Sequence, residues 1–170
     1  EDDGHYVVAQ ILSMDKEVAV LDGHYYDRQD GILDATLTLD QFQVSLLNTF
    51  LSDDGTLALR GMANGEISVK GPTANLALNG QINPDSIHAY SELYGFDLAM
   101  ENKPIAISQG KILFDQMKFL GRQSDNPLVV DGSVNLGNLS DIIYDLSIKA
   151  TDFSLINAEK TKKSLLYGKV

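Results

Sequence analysis

The chain has 170 residues and a hydrophobic fraction of 44%, which is enough for one domain with a sizeable apolar interior. Its formal net charge is −11, so its surface repels phosphate backbones and anionic headgroups, and neither nucleic acid nor a membrane surface is expected as a partner. Cysteine is absent, which excludes disulfides and thiolate chemistry.

The beginning of the chain gives no sign of a start methionine or a signal sequence, since it reads Glu-Asp-Asp-Gly-His-Tyr. No stretch approaches the roughly 18 consecutive apolar residues that a membrane-spanning helix needs. We therefore expect residues 1–170 to form a single β domain that is a fragment of a larger protein.

Alternation of apolar and polar residues dominates the chain and predicts antiparallel strands with one dry face. It begins at 33–39, where four apolar residues share one parity. It returns at 76–82, 96–101, 112–114, 128–136 and 144–150. Between these runs, Asn83–Asp85 and Asp125–Pro127 are predicted to form turns because each contains a proline.

One segment, about residues 41–52, departs from this alternation. Its apolar residues recur at helical spacing and predict a short amphipathic helix: Phe42, Leu46, Leu47, Phe50 and Leu51. A helix of about three turns is unstable alone in water, so it must lie against an apolar surface. We favour a plug over one end of the sheet's dry face, formed by Phe42, Leu46, Leu47 and Phe50, over a role in gripping a partner.

Two glycines, Gly80 and Gly132, stand in the apolar register of their strands. Glycine weakens a strand, so its presence there indicates a bend or the close approach of another chain segment. Both glycines would let the sheet curl about its dry face. The curl fits a packed core and an open groove equally well.

Side chains that could carry chemistry are scattered rather than clustered. His5, His24 and His88 lack the spacing of a zinc site, and the aspartates near residues 22–30 lack that of a calcium loop. We assign no catalytic residue and no metal ligand, and we expect no cofactor. The chain is predicted not to be an enzyme.

The order of these segments resembles a known family. The helix-like run "LDQFQVSLLNTFLSDDG" precedes "LRGMANGEISVKGPTANLALNGQI", "GKILFDQMKFLG" and "NPLVVDGSVNLGNLSDIIYDLSIKATDFSLINAEKTKKSLLYGKV". Gly65, Val69, Gly71 and Gly80 follow a glycine-punctuated string of TamB-type translocation and assembly module proteins, and Tyr144–Ala150 follows another of their motifs. Over about residues 30–170 the chain is similar to the versions found in the Bacteroides group.

This resemblance implies an elongated, curved antiparallel sheet that forms an apolar trough, often called a β-taco. It implies a parent protein anchored in the inner membrane that crosses the periplasm, like a bridge-like lipid transfer protein. The implied partners are phospholipid acyl chains and, through other parts of the parent protein, an outer-membrane barrel of the TamA type. The implied role is phospholipid transport to the outer membrane, or its assembly.

The apolar parity of the strands supplies the candidate lining of the groove. The residues are Leu76, Leu78, Ile82, Ile112, Phe114, Leu128, Val130, Val134, Leu136, Leu146 and Ile148. The rival interpretation is a self-contained β-sandwich adhesin or glycan-binding module. That class exposes aromatic rings in its loops, and Tyr25, Tyr26, Tyr90 and Tyr94 are available for this role.

Overall fold

The computed structural model describes residues 4–27, 31–51, 56–122, 124–136, 143–153, 157–158 and 168–169. The strands of the main sheet are β1 (Gly4–Ser13), β2 (Lys16–Tyr26), β3 (Ile32–Gln43), β4 (Ala58–Pro72), β5 (Ala77–Ser91), β6 (Phe96–Met100), β7 (Ile105–Ser108), β8 (Lys111–Gly121), β9 (Leu128–Asn135) and β10 (Ile143–Ala150). Two short strands, β11 (Asn157–Ala158) and β12 (Gly168–Lys169), pair with each other. The prediction of a mostly β, antiparallel fold is confirmed.

The main sheet is a simple meander in which neighbouring strands in sequence are neighbours in space. The order runs from β1 to β6 and then through β8, β9 and β10, and all pairings are antiparallel. Strand β7 lies end to end with β6, because both fill the space between β5 and β8. Two-residue turns with positive φ at both positions join β1 to β2 and β7 to β8, which matches the twist of tight hairpins.

The interruption between β6 and β7 lies beside Pro84. Gly110 donates its N–H to the carbonyl of Leu78 at 2.9 Å, so even-numbered residues in this part of β5 direct their backbone groups toward β7. Pro84 is also even-numbered, so its backbone nitrogen faces the same side, and it has no N–H to donate to a neighbouring strand there. The predicted turn at Asn83–Asp85 is therefore wrong: these residues lie within β5, and Pro84 is buried there.

The predicted amphipathic helix over about 41–52 is not confirmed. Residues up to Gln43 belong to β3, and they are followed by a 3-10 turn, Val44–Leu47, and one helical turn, α1 (Asn48–Leu51). Phe42 pairs with Ala63 across β3 and β4, which the sequence pattern did not reveal. The step of three residues from Leu39 to Phe42 comes from a β-bulge, although it has the spacing of a helix turn.

Three such bulges share one design. At each, an aspartate precedes a polar residue with φ near +50°, and the next residue is apolar and buried: Asp40-Gln41-Phe42, Asp85-Ser86-Ile87 and Asp115-Gln116-Met117. Each middle residue donates its N–H to a side-chain oxygen of the adjacent strand or loop, at 2.8 Å to Asn64, 3.1 Å to Asn102 and 2.8 Å to Asp131. Each bulge shifts the alternation by one residue, which keeps the apolar side chains on one face.

These bulges form a line across the sheet, which we call the crease. From β3 it passes through the Phe42–Ala63 and Ala63–Pro84 pairs to residues 101–104, and then to Asp115, Gln116 and Asp131. The apolar residues along it are among the most buried, with Ala63 3% and Met117 1% exposed. The crease therefore runs through the packed part of the apolar face.

Two hydrophobic clusters lie on the apolar face, the first at the crease and the second nearer the Pro72 end of β4. The first includes Phe42, Val44, Ala63 and Ile87, and the second consists of Ile67, Val69 and Ile107. Leu37 and Ile82 pack against both clusters. The core is therefore formed largely by the apolar face of one sheet.

The glycines in the apolar register explain how closely the strands approach. A Cβ built on Gly80 would lie 2.1 Å from the carbonyl oxygen of Glu66, and one built on Gly132 would lie 2.0 Å from that of Asp145. Gly65 and Gly23 meet the same obstruction from the neighbouring strand, at 2.3 Å in each case. The apolar register contains glycine at these positions because the backbone of the next strand occupies the space of a side chain.

Replacing Gly80 by alanine is expected to lower the free energy of unfolding by roughly 2–4 kcal/mol, since the colliding atoms are backbone and cannot rotate away. The control is Gly4→Ala, where the nearest atom belongs to the ring of Tyr26 at 2.7 Å, which can move. Urea unfolding of both variants would test this expectation. Equal losses for the two variants would contradict the close-approach explanation.

Candidate functional site

The candidate groove residues share one face of the main sheet. Cross-strand pairs place Ile112 opposite Val134, and Leu78 opposite Val69. Gly132 lies between Phe114 and Leu146, and Val130 lies opposite Ile148. Ile82 pairs with Ile105 and Leu128 with Phe119, which places them on the same face. Leu76 and Leu136 directly precede β5 and follow β9, and both are half-buried.

Exposure of this face increases toward the end of the meander. Val130 is buried, whereas Leu78, Ile82, Ile112, Phe114, Leu128 and Val134 are half-buried. On the edge strand β10, Leu146 is 38% and Ile148 62% exposed. The apolar surface accessible to a ligand therefore lies mainly on β8, β9 and β10.

The same face carries no charged side chain from β2 to β10 within the described strands. Its members are apolar, aromatic or glycine, apart from the buried Ser91. Charged residues occupy the opposite face, where Lys70 and Asp34 form an ion pair across β3 and β4 at 3.0 Å. A charge-free path across the sheet is what an apolar ligand requires, because an unpaired charge in a low-dielectric groove is costly.

The candidate plug residues are separated by the structure. Phe42 is buried within β3, whereas Leu46 and Leu47, in the 3-10 turn, are 43% and 40% exposed. The side chain of Phe50 lies outside the described residues. Val44, which the sequence pattern did not single out, is 4% exposed and joins the first cluster.

A polar pocket lies on the opposite, outer face of β4, β5, β6 and β8. Arg60 contacts Asp97 at 2.6 Å, and His88 contacts the other carboxylate oxygen of Asp97 through Nδ1 at 2.7 Å. The guanidinium of Arg60 also lies 5.1 Å from the ring centre of Tyr90. The pocket has a volume of about 210 Å³, and Arg122 also lines it.

Burial of Asp97 by itself favours the neutral acid, but hydrogen bonds from His88 and Arg60 outweigh it and lower the pKa of Asp97. Its side chain is 17% exposed, so these contacts are partly shielded from water. The network joins three neighbouring strands. Sequence reasoning missed it, because Arg60, His88 and Asp97 are far apart in the chain and show no motif.

The tyrosines proposed for a glycan-binding module do not form an exposed aromatic surface. Tyr25, Tyr26, Tyr90 and Tyr94 are each half-buried. Among the described residues, no three His, Asp or Glu side chains lie close enough together to share a metal ion. The same part of the chain contains no helix with the length and hydropathy of a membrane span.

Comparison of the chain with protein-family models, with curated proteins and with solved structures gives no match in any of the three.

Replacing Asp97 by asparagine is expected to lower the free energy of unfolding at pH 7 by about 1–2 kcal/mol, since charge-assisted hydrogen bonds to Arg60 and His88 are lost. The pKa of Asp97 is lower in the folded state than its value of about 3.9 in the unfolded state, so the ionised carboxylate stabilises the fold at any pH above about 3.9. This stabilisation is lost as the pH falls through the folded-state pKa. The difference between the two proteins should thus vanish in acid.

Urea unfolding at pH 7 and below about pH 3 would measure both differences. Asp145→Asn, at an exposed position of β10, is the control and should change stability little at either pH. A difference for Asp97→Asn that persists undiminished in acid would rule out the ionic explanation.

Proposed function

We propose that this chain is a segment of a TamB-type envelope protein and that its apolar sheet face lines a groove for phospholipid acyl chains. In this proposal the parent protein is anchored in the inner membrane and spans the periplasm. The segment is a non-enzymatic conduit. A TamA-like outer-membrane barrel would be contacted by other parts of the parent protein.

The observation that supports this proposal is an apolar face over which the described residues place no second layer. A sheet normally buries its apolar face against another sheet or a layer of helices. In the described part of the chain, the other elements are the two-residue strands β11 and β12 and the short turns after β3. Six of the candidate groove residues between β5 and β9 consequently remain half-buried within strands, although all are apolar.

The shape of the sheet gives a second line of support. In this proposal, the bulges of the crease and the close approach of strands at Gly23, Gly65 and Gly80 allow the sheet to curl toward its apolar side. A concave apolar surface can hold an extended hydrocarbon chain along its length. The lack of charge along the face would let such a chain move without crossing a desolvated ion.

The β-sandwich alternative has weaker support. A sandwich packs two sheets face to face at about 10 Å, whereas the described strands form one large sheet and one pair of two-residue strands. The half-burial of its four candidate tyrosines also offers little ring surface to a sugar.

The first experiment is to purify the protein from Gram-negative cells and to identify bound lipid by mass spectrometry. Phospholipid at a stable ratio to protein is expected. Its complete absence, from both this chain and a longer parent segment, would count against the groove.

The sharper experiment places a charge in the groove of the parent protein. Leu146→Lys should stay folded, because Leu146 is already 38% exposed, but should lose bound lipid and weaken the outer membrane. Val134→Asp, deeper in the same face, should act in the same direction.

The matched control is Ser147→Lys, which introduces the same charge one residue away on the opposite parity. It should bind lipid normally. If Leu146→Lys retains both lipid and an intact outer membrane, the conduit is refuted. If Leu146→Lys and Val134→Asp instead unfold by several kcal/mol, the face belongs to a packed core.

A further inference from the structure

The outer-face pocket combines residue types that are scarce in this chain. The sequence contains three arginines, and two of them, Arg60 and Arg122, line the same pocket. One of the three histidines, His88, lies beside them. In a chain with a formal net charge of −11, such a concentration of cationic groups is a local reversal of the prevailing charge.

The groups of this pocket are fixed by their surroundings. Asp97 holds Arg60 at 2.6 Å and His88 at 2.7 Å, and the ring of Tyr90 lies against the Arg60 guanidinium. A guanidinium held in this way loses little conformational freedom when it binds a ligand. Because His88 contacts Asp97 through Nδ1, its Nε2 is the ring nitrogen left for a ligand.

The pocket leaves room for a small ligand. Its volume is about 210 Å³, and two of its lining residues, Ala99 and Gly121, are small. The two arginines and Asp97 sum to a charge of +1, so the pocket attracts a small anion.

We propose that this pocket binds a phosphate group. Arg60 lies on β4, His88 on β5 and Arg122 directly after β8, so the pocket offers donors from three separate segments of the chain. A planar carboxylate, by contrast, is satisfied by a single guanidinium fork. A tetrahedral oxyanion has enough acceptor oxygens to use all three side chains. The site lies on the face opposite the candidate groove, and its function is independent of lipid transport. Its phosphate could belong to a free inorganic ion or to the ester of a headgroup-like molecule.

The test follows backbone amide signals of the 170-residue chain by NMR during titration with sodium phosphate, glycerol 3-phosphate and sodium acetate at constant ionic strength. Saturable shifts are expected at residues 60, 88, 97–99 and 120–122 with both phosphates. Arg122→Gln should weaken binding by about fivefold or more, because one charged donor pair is lost. The phosphate affinity of Arg122→Lys should lie between those of the unsubstituted chain and Arg122→Gln, since lysine keeps the positive charge but lacks the two-pronged guanidinium.

Lys111→Gln is the control, because it removes an exposed positive charge at the distant β7–β8 turn. It should bind phosphate like the unsubstituted chain. Tighter binding of glycerol 3-phosphate than of phosphate would identify an ester as the ligand, and equal or weaker binding would identify the free ion. Shifts that do not saturate, that respond equally to Arg122→Gln and Lys111→Gln, or that favour acetate would overturn the proposal.

Discussion

The crease across the sheet is the constraint on which the rest of the structure depends. At each of its three bulges the chain accepts a non-glycine residue with positive φ, which is an unfavourable backbone conformation. The cost is offset by a side-chain acceptor on the adjacent strand or loop and by burial of the apolar residue that follows. Gln116 shows the arrangement clearly, since its N–H is bonded to Asp131 and this bond lowers the pKa of that carboxyl. Without the bulge in each of β3, β5 and β8, the apolar residues that follow it would point to the polar face of the sheet.

The two faces of the sheet differ in what they can bind. One face carries apolar side chains in two clusters, and Leu37 and Ile82 pack against both. The other face carries a polar pocket lined by residues of β4, β5, β6 and β8. One layer of strands can therefore bind an apolar ligand on one face and an anionic ligand on the other, because successive side chains along a strand point to opposite faces.

Much of the fold was predictable from the sequence because alternation is a local signal. The runs at 33–39, 128–136 and 144–150 all became strands, and Gly132 lies within β9, as its position in the apolar register indicated. The helix prediction failed at Phe42, where a bulge has the spacing of a helical turn. The repeated Asp–polar–apolar triplet would have shown this, since it occurs at three points where the parity of the alternation changes. The outer pocket could not be predicted, because the pairing register that joins residues 60, 88 and 97 depends on the turns and bulges between them.

The sequential order of the strands has a consequence for how the protein forms. Apart from β6 and β7, which lie end to end, consecutive strands of the meander pair with each other, so most loops closed during folding are short and their entropic cost is small. A hairpin can join the growing edge before the following residues are available, as is required of a chain that emerges gradually from a ribosome or a membrane channel. The same order means that additional hairpins could lengthen the sheet during evolution without rearranging any strand already in place.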